Sequence, residues 1–596
     1  MARTATRKRQ APALPQWDLS DLYPGPDSPE LERDLTNAAA AAKAFRDEFL
    51  GKVAGLTGAA LASAVERFEA LDETLTRAAS YAGLMHSGNV SDPEIGRFYQ
   101  TINERVTDIS SQVLFFTLEI NHIKDDVLPL LLGDAALARY RPWIRDIRAF
   151  RKHELPEEME RLLHEKRVAG AQAWVRLFDE TEAALRFPVE GKKLTAAEAL
   201  HLLQDPNPKR RKAAAKSLGT VLGANVRLFA HITNTLAKDK EIEDRWRSYP
   251  RPQSARNLSN YVEDEVVDAL VSAVRDSYPR ISHRYYKLKA RWFRKKELPY
   301  WDRNAPLPEG KDRKVPWVEA RDIVLAAYAR FSPKMAEVGR RFFDNAWIDA
   351  PTRPGKASGA FAHPTVPSAH PYLLLNYQGR TRDVMTLAHE LGHGVHQVLA
   401  GPRGQLMSQT PLTLAETASV FGEMLTFRAL LDEEKNKAQR KVMIASKVED
   451  MINTVIRQIA FYNFESRVHE ARRKGELTSD VICDIWMSVQ SESLGPAIAL
   501  DRDYRVYWTY IPHFIHTPFY VYAYAFGDCL VNSLYSLYAE SHAGFAEKYL
   551  DMLAAGGTKR HKELLAPFGL DASDPGFWSR GLSVIEGLID ELEALG

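Results

Sequence analysis

The stretch Ala388-His389-Glu390-Leu391-Gly392-His393-Gly394-Val395-His396 sets how the rest of the chain is read. His389 and His393 are four residues apart, so on an α-helix they project from one face, one turn apart. Two imidazoles at that spacing can share a tetrahedral Zn²⁺. Glu390 stands beside them, where it can take a proton from a water that the ion binds. Thr381 and Asp383 supply N-terminal cap chemistry and Gly401-Pro402 a stop, which predicts a helix across the motif. Gly392 and Gly394 lie inside it and weaken it by about 1 kcal/mol each relative to alanine. Glycines so placed point to close approach by another backbone or by a substrate. Five of the 17 histidines crowd into this region: His363, His370, His389, His393 and His396.

A catalytic zinc needs a third protein ligand and an open position. Glu416 lies 27 residues after His389 (416 − 389), on a predicted helix rich in Ala415, Ala418, Val420 and Phe421. A carboxylate on a buried helix needs a partner, and a metal would be one. Thr413-x-x-Glu416 also fits a capping box, in which Glu416 only closes a helix end. Glu423, two turns later, reads as a second-shell carboxylate that orients a ligand imidazole, or as the ligand itself. His396 reads equally as second-shell hydrogen bonding and as packing. Further on stands Tyr510-Ile511-Pro512-His513-Phe514-Ile515-His516-Thr517-Pro518-Phe519-Tyr520-Val521-Tyr522-Ala523-Tyr524. Tyr O–H or His N–H groups aimed at a developing oxyanion would stabilise it. If the segment is extended, its three alternate tyrosines could line a cleft; the other reading is aromatic core packing.

Composition narrows the class. The chain has 596 residues, with 79 basic and 78 acidic side chains for a formal charge of +1. A balance this close lacks the sustained positive field that coating nucleic acid or an anionic membrane requires. Two cysteines, Cys483 and Cys529, exclude a disulfide scaffold and a four-thiolate site, and both read as buried apolar residues. The basic N-terminus has no apolar run behind it, so it reads as a disordered tail rather than a secretory signal. Thr517–Leu530 is the best candidate for a membrane span, but it is short and holds Asp528. A cytoplasmic enzyme is expected.

Helical periodicity dominates. Leu61, Val65, Phe68, Leu71, Leu75, Ala78 and Ala82 recur at three- and four-residue steps, and similar rows run through 102–120, 195–203, 221–236 and 262–274. The expected class is mainly α, with helices again from Leu412 onward. Lys356–Tyr377, rich in Gly, Pro and β-branched residues, reads as a small sheet beside the histidine helix, with Pro371 at a strand start. Glu297–Val315 reads as a long surface loop. Gly191-Lys192-Lys193 marks a boundary near 190–205, which divides the chain into a tail (1–15), an N-terminal helical domain (16–200) and a catalytic domain (201–596).

Three motifs together carry a resemblance: His389-Glu390-Leu391-Gly392-His393-Gly394-Val395-His396, Ala415-Glu416-Thr417-Ala418-Ser419, and Ile511-Pro512-His513-Phe514 with the Tyr-x-Tyr-x-Tyr run. They resemble the oligoendopeptidase F group of the thimet oligopeptidase family of zinc metallopeptidases. Trp17-Asp18-Leu19-Ser20-Asp21-Leu22-Tyr23, Arg284-Tyr285-Tyr286-Lys287-Leu288-Lys289-Ala290 and Trp301-Asp302-Arg303-Asn304-Ala305-Pro306 are similar to the same group, so the resemblance spans nearly the whole chain. It implies a multi-helical zincin whose N-terminal and catalytic domains enclose a deep channel for unfolded oligopeptides. It implies one Zn²⁺ on His389, His393 and Glu416, with Glu390 as general base. Tyr524 is implied as the tyrosine at the scissile carbonyl, with His513 or His516 and Tyr522 as further candidates. The strand around Ser368–Tyr377 resembles a substrate-pairing segment, which would bind peptide by strand addition.

The resulting expectation is a zinc metalloendopeptidase for short peptides, monomeric or a small homo-oligomer, without nucleic-acid or membrane partners. A dipeptidyl carboxypeptidase with the same chemistry and a non-catalytic peptide-binding protein are the alternatives.

Overall fold

The structure, a computed structural model, describes residues 14–307, 313–540 and 543–596. Helices dominate it, as the periodicity predicts. The Gly58–Gly88 helix, capped by the Thr57 hydroxyl, buries Leu61, Val65, Leu71, Leu75, Ala78 and Ala82 on one face. The row at 102–120 is two helices, Pro93–Ser111 and Phe115–His122, with a break between them. Thr195 and Glu198 close a capping box on the Ala196–His201 helix. The row at 221–236 is part of one helix, Pro208–Trp246, whose 39 residues span roughly 60 Å at 1.5 Å each. Of the tail read over 1–15, residues 1–13 lie outside the described residues. Leu14 and Pro15 belong to the fold, and the Pro15 carbonyl accepts from Ala350 N–H at 2.9 Å.

Among the described residues, seven short strands make three sheets. β1 (Phe187–Val189) and β2 (Lys192–Leu194) form a hairpin whose turn residues Glu190 and Gly191 both have positive φ, +49° and +80°, matching the twist that two-residue hairpins need. β3 (Leu298–Pro299) pairs in parallel with the distant β7 (Ile498–Ala499). The stretch read as a surface loop over 297–315 is therefore partly core: Leu298, Tyr300, Asp302 and Ala305 are buried, and Asp302 holds buried Arg211. Residues 308–312 of that stretch lie outside the described residues.

The third sheet flanks the motif helix, as expected. β4 (Ile348–Pro351), β5 (Phe361–His363) and β6 (Tyr372–Tyr377) lie in the order β4-β6-β5. β6 runs parallel to β4 and antiparallel to β5, and its run Tyr372-Leu373-Leu374-Leu375 is buried on both faces. Tyr372, Leu373 and Leu374 lie opposite β5, and Leu373, Leu374 and Tyr377 opposite β4, so the middle of β6 has no open edge for strand addition; the outer strands of this sheet are β4 and β5.

The motif lies on the Thr381–Ala400 helix, where Asp383 caps the start by accepting from the N–H groups of Gln378 and Arg380. The Thr381 side chain takes no part in that cap. Close approach explains both inner glycines. A Cβ at Gly392 would lie 2.5 Å from the Ala418 carbonyl and 2.7 Å from Ser419 Cα, on the neighbouring Thr417–Glu433 helix. A Cβ at Gly394 would lie 2.6 Å from the Phe342 ring. Behind them, the Tyr328 hydroxyl fills the space left by Gly422 and donates to the Ala388 carbonyl at 2.6 Å. The Lys437–Met451 helix passes through one π turn, Ile452–Ile456, and continues without a break as Arg457–Lys474. Among the described residues, no helix is long and apolar enough to cross a membrane.

Candidate metal centre

Three side chains converge where the histidine helix meets the next helical segment. One donor atom each from His389, His393 and Glu416 lies within 4.8 Å of the other two. Glu416 Oε2 sits 3.4 Å from His389 Nε2 and 3.5 Å from His393 Nε2. Glu416 occupies the corner between Leu412–Ala415 and Thr417–Glu433, and no capping box forms there. Thr413 instead faces the Asn260 carbonyl, and the Ser419 hydroxyl donates to Glu416 Oε2 at 2.6 Å. Gly527 leaves the room: a Cβ there would sit 3.0 Å from the Glu416 Cβ.

The donor set suits a divalent cation. His389 Nδ1 faces Glu423 Oε2 at 3.2 Å, which turns Nε2 toward the cluster, and Lys447 donates to the other Glu423 oxygen at 2.7 Å. Glu423 thus lies on the Nδ1 side of the His389 ring, outside the group of three donors. Glu390, Glu416 and Glu423 crowd around the imidazoles. Burial pulls His389 down, but the Glu423 hydrogen bond and the charges of Glu416, Glu423 and Glu390 outweigh it and push it up to about 9. Burial raises Glu416, yet the His393 hydrogen bond and the two imidazoles bring it down to about 2. A pocket this electronegative, with imidazole and carboxylate donors and no thiolate, fits Zn²⁺ among the cations that accept nitrogen and oxygen.

Glu390 is buried beside the two histidines, and burial raises its carboxyl above the usual range. His396 points away from the cluster. It is buried, lies 3.1 Å from the Thr410 hydroxyl and bonds the Ala415 backbone, so it braces the turn that leads into Glu416. His363 and His370 join the sheet to the N-terminal region, through Ser80 at 2.9 Å and Asp21 at 2.8 Å. Two of the five crowded histidines reach the centre.

The tyrosine row is helical rather than extended. Tyr522 starts the Tyr522–Ala539 helix, so Tyr520 and Tyr524 face one way and Tyr522 the other. Tyr524 lies one turn before Gly527, the residue that touches Glu416, and so shares the face toward the centre. Its hydroxyl is 3.3 Å from His513 Nε2. Burial and the charge of Glu416 are among the influences that push Tyr524 up to about 12, with Tyr520 second to burial. Burial and the Arg457 charge push His513 down. Tyr522 is fully buried and its hydroxyl accepts from Asn260 at 2.9 Å, away from the centre. His516 is half exposed and pairs with Asp179 at 2.7 Å. Lys447 joins the site without a sequence signal of its own, because its partner Glu423 lies 24 residues away on another helix.

Two helices of the N-terminal region bond to segments near the centre. Ser368 N–H donates to Glu73 at 3.0 Å and Gln405 to Asp72 at 2.9 Å, both on the Gly58–Gly88 helix. The Ala171–Ala184 helix supplies Asp179 to His516. A cavity of about 530 Å³ runs from His393 and His396 past Gln397 and Thr410 to Val366 and Gln405.

Comparison with known proteins agrees with this construction. The model of peptidase family M3 matches residues 201–584, and the model described as oligopeptidase F matches 119–187. Oligopeptidase PepF of Bacillus subtilis (strain 168) is 26% identical over 599 aligned positions, covering 97% of this chain and 87% of its own. A solved structure from Chlamydophila abortus superposes with a TM-score of 0.85 at 23% identity, covering 98% of both chains. Oligoendopeptidase-F from Enterococcus faecium superposes with a TM-score of 0.71 at 23% identity, covering 95% of this chain and 98% of its own. The chain belongs to peptidase family M3, and with it to the metallopeptidases.

Proposed function

We propose that the protein is a zinc-dependent endopeptidase that cuts internal bonds of short unfolded peptides. The observation that carries this is the meeting of His389, His393 and Glu416 donors within 4.8 Å, with Glu390 beside them. A bound zinc ion supplies a Lewis acid for the scissile carbonyl and lowers the pKa of the attacking water to about 7. His389, His393 and Glu416 hold the ion, and Glu423 fixes the His389 ring by its Nδ1. Glu390 takes a proton from the water and returns it to the departing amine nitrogen, a task its burial-raised pKa suits. Tyr524 keeps its proton across the neutral range and donates to the carbonyl oxygen as charge develops there. His513, held neutral near pH 7 by burial, steadies the Tyr524 hydroxyl.

The test is Glu390→Gln, assayed on a quenched decapeptide. The variant keeps about one zinc per chain and loses about 10²–10⁴-fold in kcat, the range for a general base; unchanged turnover would remove Glu390 from the mechanism. A peptide blocked at both ends separates the endopeptidase from a dipeptidyl carboxypeptidase, which leaves it intact. His513→Ala lowers kcat in the same assay. His516→Ala, whose imidazole pairs with Asp179, stays within about threefold of the parent, as an exposed ion pair contributes little.

A further inference from the structure

The Arg457–Lys474 helix grips the 510–519 segment along one face. Arg457 donates to the Tyr510 hydroxyl at 3.2 Å. Phe461 and Phe464 pack on Phe514, with ring centroids 5.5 and 5.0 Å apart. Glu465 Oε1 accepts from Phe519 N–H at 2.9 Å. These positions recur at three- and four-residue steps and so lie on one side of the helix.

Phe519 sits in the turn between His513 and Tyr524 and has a φ of +61°. A non-glycine residue holds that setting only where its surroundings over-determine it. Here they do. The Phe519 ring is fully buried, 4.8 Å from the His469 ring and 6.0 Å from that of Tyr462. Arg256 donates to the neighbouring Pro518 carbonyl at 3.3 Å. Glu465 is itself buried, and its Oε2 has no hydrogen-bond partner among the described residues. A carboxyl stripped of water and kept for one backbone N–H is a costly group to retain for packing alone.

We propose that Glu465 is a positioning residue for the peptidase reaction: by holding Phe519 N–H it fixes the left-handed turn that aims the Tyr524 hydroxyl, with His513, at the scissile carbonyl. The proposal rests on the function given above. Glu465 touches neither metal nor substrate and acts through the turn.

The experiment measures kcat, KM and zinc content on the decapeptide for the parent, E465A, E465Q, Y524F and the E465A/Y524F double variant. A displacement of about 1 Å in a reacting group costs on the order of 10²-fold, so E465A loses about 10–100-fold in kcat while its KM shifts by less than about threefold. Its zinc content stays at one per chain. E465Q keeps an oxygen for Phe519 N–H and restores kcat to within about threefold of the parent. In the Y524F background E465A adds no further loss, because the two act as one unit. Parental kcat in E465A, or the same loss with and without Tyr524, would overturn the proposal. If E465A does not fold, E465D, shorter by one methylene, is read by the same scheme. Zinc-loaded parent that leaves the peptide intact would overturn the peptidase reading as well, whereas an active parent with an indifferent E465A overturns this proposal alone.

Discussion

Lys447 is a fully buried lysine that points at a single carboxylate, that of Glu423. Burial pulls its pKa down, but the charges of Glu423 and Asp528 more than restore it, so the ammonium stays charged. It keeps Glu423 ionised and its far oxygen on His389. Lys447→Met therefore leaves the ligands in place and loosens their orientation. Zinc affinity, read by competition with a chromophoric chelator, is expected to fall about 10–100-fold, as for other partners of metal-bound histidine. Glu465 gives a pH signature. Burial pushes it up to about 8, against an unfolded glutamate near 4.3. The folded chain thus holds a proton that the unfolded chain releases. The stability this group contributes is complete below about pH 4.3 and is lost as pH rises toward 8. Urea midpoints for E465Q should gain on the parent between pH 5 and 8, and a pH-independent difference would remove the linkage. At this scale the sequence was most legible where chemistry and spacing coincide. His389, Glu390 and His393 follow from one helical turn, whereas Lys447 and Glu465 have partners 24 and 54 residues away.

Elements were legible where one periodicity ran uninterrupted. The row from Leu61 to Ala82 is helical throughout. The alternate tyrosines at 520, 522 and 524 left two readings open because spacing by two suits a strand; the helix that begins at Tyr522 turns Tyr522 into the core and leaves Tyr524 beside Tyr520. The substrate-pairing role read onto 368–377 does not suit the middle of β6, whose pairing partners on both sides are invisible in its own residues. Between the histidine helix and its neighbour, by contrast, Gly392 announced the backbone contact correctly, whereas Gly394 makes room for the Phe342 ring. Gly392→Ala forces a methyl against the Ala418 carbonyl. The neighbouring helix carries Ser419 and Glu423 and begins at Glu416, so a shift of its backbone reaches the ligand set. A loss of about 1–3 kcal/mol in urea unfolding is expected, the range for overpacking, together with weaker zinc binding.

For the whole molecule, N-terminal helices bond to the segments around the centre, through Glu73 and Asp72 to Ser368 and Gln405 and through Asp179 to His516. These contacts were not legible in the sequence, since pairs more than 290 positions apart leave no local trace. The proposed restriction to unfolded peptides predicts selection by tertiary structure. The same decapeptide sequence should be cut when free and spared when grafted into a loop of a folded domain, with products mapped by mass spectrometry. One rod joins the two halves of the chemistry: Lys447 lies before the Ile452–Ile456 π turn and Glu465 after it. In an unbroken α-helix these two positions, 18 apart, would complete five turns and face the same way. The extra residue in the π turn rotates one against the other by about 100°. That offset lets a single helix present Lys447 to Glu423 and Glu465 to Phe519. Phase along the rod is thus a setting separate from the identity of any side chain. A helix of the same length whose π turn closed into regular α turns would keep every group described above and lose their simultaneity, so that holding the ion and aiming Tyr524 become alternatives.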